Sequence, residues 1–115
     1  MRHTIIIAEA GVNHNGNMDI AKRLIDAAAD AGVDYVKFQT FKTENLVSFN
    51  APTAEYQKAA TQETSQYAML KRLELNEQQH IELIEYCNKK GVKFLSTAFD
   101  MDSIDLLESL NLDLW

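Results

Sequence analysis

From Thr4 to Ala10 the chain is almost wholly apolar, with β-branched Ile5, Ile6 and Ile7 in succession. It then breaks at Gly11 into the turn-rich Asn13-His14-Asn15-Gly16-Asn17. That pattern predicts a buried strand followed by a loop. A helix follows: Asn17 caps it, Asp19 sits in its positive first turn, Ile20, Leu24, Ala27 or Ala28 and Ala31 recur at helical spacing, and Gly32 closes it. Val33 to Thr40 reads as a second strand. The pattern returns further on, with Asn76 and Gln79 as an N-cap/N3 pair, Ile81, Ile84 and Cys87 as the apolar stripe, Gly91 as the stop, and Val92 to Thr97 as a third strand. A short helix from about Ser103 to Leu110 and the start of a fourth strand at Leu112-Asp113-Leu114-Trp115 complete the series.

Ala31-Gly32-Val33-Asp34-Tyr35-Val36-Lys37-Phe38 and Lys90-Gly91-Val92-Lys93-Phe94-Leu95 share one grammar, helix stop, glycine, apolar strand. Strands separated by helices are parallel with right-handed crossovers. Strands apolar on both faces need a helical layer on one side and a second core on the other. The class is therefore α/β, a parallel sheet or barrel. Between the second and third strands, Phe41 to about Ser65 is too long for an ordinary βα loop and carries the only proline, Pro52; such loops are functional or disordered. Tyr67, Leu70 and Leu73 or Glu74 mark a short extra helix from about Gln66 to Leu75. At 115 residues the chain is one domain or part of one, since a complete α/β barrel takes about 250.

Charge and cysteine use narrow the function classes. With 11 Lys and Arg against 17 Asp and Glu, a net charge of −6, and the basic residues scattered, the footprint needed to hold nucleic acid is missing. No apolar run approaches the roughly 20 residues that span a bilayer. The N-terminus runs from Ile7 to Glu9 without the features of a signal peptide, so a cytoplasmic protein is expected. The single cysteine, Cys87, allows no internal disulfide or cysteine-based zinc site, and its place on the apolar stripe marks it as core.

Alternation along a strand places Ile5, Ile7 and Glu9 on one face, Tyr35, Lys37 and Gln39 on one face, and Lys93, Leu95 and Thr97 on one face. Each strand thus ends polar near its C-terminus, the edge where α/β folds assemble their active sites. A lysine between Val36 and Phe38 is costly to bury without an anion. Either Glu9 neutralises Lys37 in a structural ion pair, or Glu9, Lys37, Gln39 and Thr97 face a ligand carrying phosphate or carboxylate. Lys93, near the start of its strand, is expected to snorkel at the opposite rim. The Glu9 to Asn17 segment lacks the glycine spacing of a dinucleotide loop and the Lys-Ser/Thr of a P-loop. His14 has no second ligand at useful spacing and is expected to serve loop structure, and His80 to lie on a helix surface.

Three stretches in order, Ile6-Ile7-Ala8-Glu9-Ala10-Gly11-Val12-Asn13-His14-Asn15-Gly16, Val36-Lys37-Phe38-Gln39-Thr40 and Phe94-Leu95-Ser96-Thr97-Ala98-Phe99-Asp100, with Asn45-Leu46-Val47 and Ala51-Pro52 between them, resemble the N-terminal part of the sialic acid synthase family. The first is more similar to the N-acetylneuraminate and legionaminate branches than to the pseudaminate branch. The resemblance implies a (β/α)8 TIM barrel followed by an antifreeze-like domain, working as a domain-swapped homodimer. Residues 1–115 would supply about three of the eight βα units and the start of a fourth strand. It implies condensation of phosphoenolpyruvate with an N-acetylated hexosamine such as N-acetylmannosamine, releasing phosphate and forming a nine-carbon 2-keto sugar acid. It also implies a divalent ion, Mn2+ or Mg2+, that polarises the sugar aldehyde, with its ligands beyond Trp115.

Carried over by position, the resemblance implies that Glu9 holds sugar hydroxyls and stabilises charge at the reacting carbon. Lys37 would hold phosphoenolpyruvate, Gln39 would contact the sugar, and Thr97 would donate to the phosphoenolpyruvate carboxylate. The chain by itself is then expected to be inactive and, with strand edges and apolar surface open, to self-associate. The alternatives are another phosphoenolpyruvate-using aldol synthase on the same barrel, and a non-catalytic α/β module that binds an anion or completes a partner's barrel.

Overall fold

The computed structural model describes residues 2–47 and 66–115. Its elements are β1 (Ile7–Gly11), α1 (Met18–Asp30), β2 (Tyr35–Thr40), α2 (Thr43–Leu46), α3 (helical over the described residues 66–73), α4 (Glu77–Lys90), β3 (Lys93–Ala98) and α5 (Met101–Ser109). The strands form one parallel sheet in the order β1-β2-β3. This is an α/β fold of alternating units, consistent with part of a (β/α)8 barrel.

α1 and α4 cover one face of the sheet. Between them and the strands lies a core of Ala10, Ala21, Ile25, Val36, Phe38, Leu75, Leu83, Cys87, Val92 and Phe94, with the Phe38 and Phe94 rings stacked at 5.5 Å. Both helices start as their sequences demand. Asn17 accepts from the amides of Asp19 and Ile20, and Asn76 and Gln79 close a reciprocal capping box. Burial pushes the Cys87 thiol up to about 12, so it is a core group and a poor nucleophile.

The apolar stripes are displaced from the expected ones. α1 buries Ala21, Ile25 and Ala28 in place of Ile20 and Leu24, and α4 buries His80, Leu83 and Cys87 in place of Ile81 and Ile84. Helical period sets the spacing of a buried stripe but leaves its phase open when neighbouring positions are all apolar. In α4 the phase is decided by a histidine, which corrects the surface position expected for His80. Its ring is fully buried: Nδ1 donates to the Asn76 carbonyl at 2.7 Å, which leaves Nε2 to accept from the Thr40 hydroxyl at 2.8 Å, while Thr40 Oγ1 lies 2.6 Å from Ser96 Oγ. A buried imidazole is tolerated here because both nitrogens are satisfied.

Several boundaries also differ: β2 begins at Tyr35 rather than Val33, and β3 spans Lys93–Ala98 rather than Val92 to Thr97. β1 begins at Ile7 rather than Thr4, because the Asp34 carboxylate takes the Ile6 amide at 2.8 Å where a ladder bond would form; Ile5, Ile6 and Ile7 are exposed rather than buried. α5 begins at Met101, two residues before Ser103, because Asp100 caps it through the Ser103 amide at 2.8 Å. Residues 112–115 form no strand. Asn111 takes a positive φ of 55° and turns the chain, Leu112 packs against the core, and Asp113 reaches Lys93 at 3.3 Å; alternating polarity alone supplies no ladder. Lys93 is exposed as expected, its ammonium 5.8 Å from the Tyr35 ring centroid.

Within the stretch expected to be a loop, Thr43–Leu46 is helical. Glu74 accepts from the Thr43 amide at 2.8 Å and its hydroxyl at 2.9 Å, and Lys71 pairs with Glu44 at 2.8 Å, so α2 is clasped to the predicted extra helix α3. Pro52 and the rest of 48–65 lie outside the described residues.

Candidate functional site

Strand register brings the polar strand ends together. Glu9 stands opposite Lys37, and Gln39 opposite Thr97, with Leu95 opposite Lys37. All four polar residues lie on the face away from α1 and α4, at the C-terminal edge of the sheet. Lys37 Nζ is 3.0 Å from Glu9 Oε2, and the two side chains keep 34% and 48% of their exposure. The ion pair exists and is open to solvent, so the same groups remain accessible to a ligand. Thr97 is exposed beside them.

Sequence reasoning read Gly11 and Asn13 as turn residues and gave neither a role in the site. The β1 ladder skips a residue between Glu9 and Gly11, a bulge that leaves Ala10 without a partner. Gly11 adopts φ +56°, and a Cβ there would stand 3.1 Å from Glu9 Oε1, 3.6 Å from Gln39 Nε2 and 3.9 Å from Asn13 Nδ2. The bulge and the positive φ bring the side chains of Glu9, Gln39 and Asn13 around Gly11. The signal was present as a strand that stops on glycine with asparagine two residues later, which also describes an ordinary turn.

Beyond this edge, Asp100 accepts from the Lys42 amide at 2.7 Å, and the Phe99 amide donates to the Thr40 carbonyl at 3.1 Å. The loops after β2 and β3 are thereby tied to each other next to Gln39 and Thr97. Partial burial, the largest single influence, raises the Asp100 carboxyl, but the bonds it accepts from the Lys42 and Ser103 amides, the Ser103 hydroxyl and Asn45 together hold it below the usual carboxylate range.

His14 is fully buried, its ring centroid 6.2 Å from that of Phe38, and its Nδ1 accepts from the Gly16 amide at 2.9 Å. It therefore braces the loop between β1 and α1, and its Nε2 finds no hydrogen-bond partner among the described residues. Burial lowers the pKa of both His14 and His80 below the ordinary value of 6.5. Folded imidazoles are then neutral where unfolded ones begin to protonate, so their stability contribution is complete above about 6.5 and falls as pH drops below it. Urea midpoints are expected to fall between pH 7.5 and 5.5, by at most about 1.4 kcal/mol per pH unit for each histidine. His80→Gln should flatten that slope; an equally steep slope in the variant would show that His80 is not its source.

Among the described residues no group of three or more His, Cys, Asp or Glu side chains converges as a metal site requires. A groove of about 600 Å³ is lined by Glu74, Glu77, Asp102 and Asp105 with Lys42, a charge balance unsuited to an anion.

Comparison with known proteins agrees with this arrangement. Residues 24–115 match the NeuB family profile. The chain is 50% identical over 116 aligned residues to the N,N'-diacetyllegionaminic acid synthase of Campylobacter jejuni subsp. jejuni, which covers 100% of this chain and 35% of that protein. It is 56% identical over 106 residues to the protein of the same name from Legionella pneumophila, covering 91% of this chain and 30% of that one. The crystal structure of N-acetylneuraminic acid (sialic acid) synthetase from Leptospira borgpetersenii serovar Hardjo-bovis in complex with citrate superposes with a TM-score of 0.76 at 30% identity, over 97% of this chain and 35% of that one. The chain thus spans about a third of the length of the curated relatives it matches. Three parallel βα units, polar strand ends in register and a profile match that takes in β2 and β3 lead to one assignment: the chain belongs to the NeuB family.

Proposed function

We propose that the protein carrying this chain is a phosphoenolpyruvate-dependent synthase that joins an N-acetylated hexosamine to phosphoenolpyruvate, giving a nine-carbon 2-keto sugar acid and phosphate. The observation that carries this reading is the solvent-open Glu9–Lys37 pair at 3.0 Å, beside Gln39 and Thr97 on one sheet edge. A cation and a hydroxyl suit the anionic substrate, and a carboxylate and an amide suit the hydroxylated one. In this reading residues 1–115 are the first part of a (β/α)8 barrel, followed by its remaining units and an antifreeze-like domain in a cytoplasmic homodimer.

Lys37 holds phosphoenolpyruvate, and Thr97 donates to its carboxylate. Gln39 and Glu9 hold the open-chain sugar, with Glu9 placed to stabilise positive charge that develops as the enol carbon attacks the aldehyde. The new carbon–carbon bond leaves an electron-poor C2, water adds there, and phosphate departs. The divalent ion of the family, Mn2+ or Mg2+, finds no fitting set among the described residues, and none of these steps is routed through it. Of two acceptors, N-acetylmannosamine and a bacillosamine-derived hexosamine, the likeness to two legionaminic acid synthases favours the second.

Phosphate release by the longest natural product of this gene, hereafter the full-length protein, tests the reading. With phosphoenolpyruvate, manganese and each sugar in turn, release is expected to depend on sugar and metal and to be faster with the bacillosamine-derived acceptor. Silence with every sugar would overturn it in favour of a binding or structural module. The 115-residue chain alone is expected to release none.

A further inference from the structure

Directly behind the polar edge, on the sheet face turned to the helices, three buried side chains form a chain of hydrogen bonds. Elsewhere that face carries Ala10, Val36, Phe38 and Phe94, but at its C-terminal end Thr40, Ser96 and His80 of α4 are buried together. One group sets the direction of every bond. The Asn76 carbonyl can only accept, so His80 Nδ1, 2.7 Å away, carries the single ring proton of the neutral imidazole. Nε2 therefore accepts, and Thr40 gives it the one proton of its hydroxyl at 2.8 Å. Thr40 Oγ1 must then accept from the Ser96 hydroxyl at 2.6 Å. The chain runs from β3 through β2 to the capping box that starts α4, with each proton placed.

Thr40 and Ser96 each adjoin a residue of the polar edge, Gln39 and Thr97, which stand opposite each other in register and project from the other face. β2 and β3 end at Thr40 and Ala98, where a sheet has least to hold it. Apolar side chains of the same shape could fill this space and be as stable, because replacing all partners of a hydrogen bond together is nearly neutral. What directional bonds add is one fixed arrangement of the two strand ends against α4. We propose that Thr40 and Ser96, anchored by His80, are positioning residues that fix where Gln39 presents its side chain to the sugar and Thr97 to phosphoenolpyruvate. This rests on the reading of the protein as a hexosamine-using synthase. Glu9 and Lys37 do not depend on the chain, since Ala10, Val36 and Phe38 beside them belong to the apolar core.

The test measures full-length wild type, Thr40→Val, Thr40→Ser and Ser96→Ala. Thr40→Val loses the hydroxyl and should raise KM for both substrates about fivefold, as for one weakened hydrogen bond to each. Because Glu9 and Lys37 stay in place, kcat should remain within about twofold of wild type. Thr40→Ser keeps the hydroxyl and should restore both KM values. Ser96→Ala strands no nitrogen and should raise KM for phosphoenolpyruvate, but in a protein already carrying Thr97→Val it should raise it no further. A purely structural chain would lower the melting temperature and leave both KM values at those of wild type, which overturns the proposal. So would a Ser96→Ala effect of equal size with and without Thr97→Val, or a Thr40→Ser no better than Thr40→Val. Should Thr40→Val fail to fold, Ser96→Ala and its pairing with Thr97→Val decide the question. An active wild type whose KM values are unmoved by the substitutions defeats this inference alone, whereas a silent wild type removes the synthase reading and the inference with it.

Discussion

Glu9→Gln in the full-length protein is expected to lower kcat by about 10²- to 10³-fold, the usual cost of removing one group that stabilises transition-state charge. The fold should survive. The pair that Glu9 forms with Lys37 is partly exposed on both sides, and such pairs contribute only about 0–1 kcal/mol, so the melting temperature should move little. Gln keeps the shape and can still accept from a sugar hydroxyl through its amide oxygen, but it removes the negative charge. Lys37, released from its carboxylate, would hold phosphoenolpyruvate at least as well, so KM for that substrate should stay level or fall. Lys37→Met should do the reverse, raising KM for phosphoenolpyruvate with Glu9 still in place. Unchanged turnover in Glu9→Gln would remove Glu9 from the reacting centre and leave the pair a structural one.

Much of the fold was legible because its signals are local. Asn17, Asn76 with Gln79, and Gly91 act within a few residues of themselves, and each does at its helix end what its type and spacing imply. The phase of the buried stripes was less legible. In α4 the deciding contact is between His80 and Thr40, forty residues apart, and no helical period announces it. The fourth strand failed for a related reason: Leu112 to Trp115 has the composition of a strand, whereas a strand is made by the partner that pairs with it.

The site was legible where it depended on alternation. Period two put Glu9, Lys37, Gln39 and Thr97 on one face of the sheet, and register then set Glu9 against Lys37 and Gln39 against Thr97. What the period cannot express is a skipped residue. Beyond the bulge at Ala10 alternation no longer holds, which is why Asn13, whose side chain lies near Gly11, was not assigned a place.

Gly16→Ala should be the most damaging small substitution for stability, and a second glycine shows why. Gly16 and Gly32 both have φ +76°, so alanine meets the same backbone penalty at each, about 1 kcal/mol. A Cβ on Gly32 would find nothing within 4 Å, whereas one on Gly16 would stand 2.0 Å from the Arg72 carbonyl oxygen in α3. That oxygen belongs to helix backbone and cannot swing aside as a side-chain tip can. Either α3 lifts off the loop, against its clasp to α2 through Glu44, Lys71 and Glu74, or the turn opens and the Gly16 amide leaves His14 Nδ1. Urea denaturation of the full-length protein is expected to show a loss of about 3 kcal/mol for Gly16→Ala against about 1 kcal/mol for Gly32→Ala. The difference between them isolates the packing of α3 on the loop that leaves β1 beside Glu9, so sugar-dependent turnover should fall with the first variant and not with the second. Equal losses would mean that α3 does not rest on this loop, and that the inserted helix has no part in shaping the site.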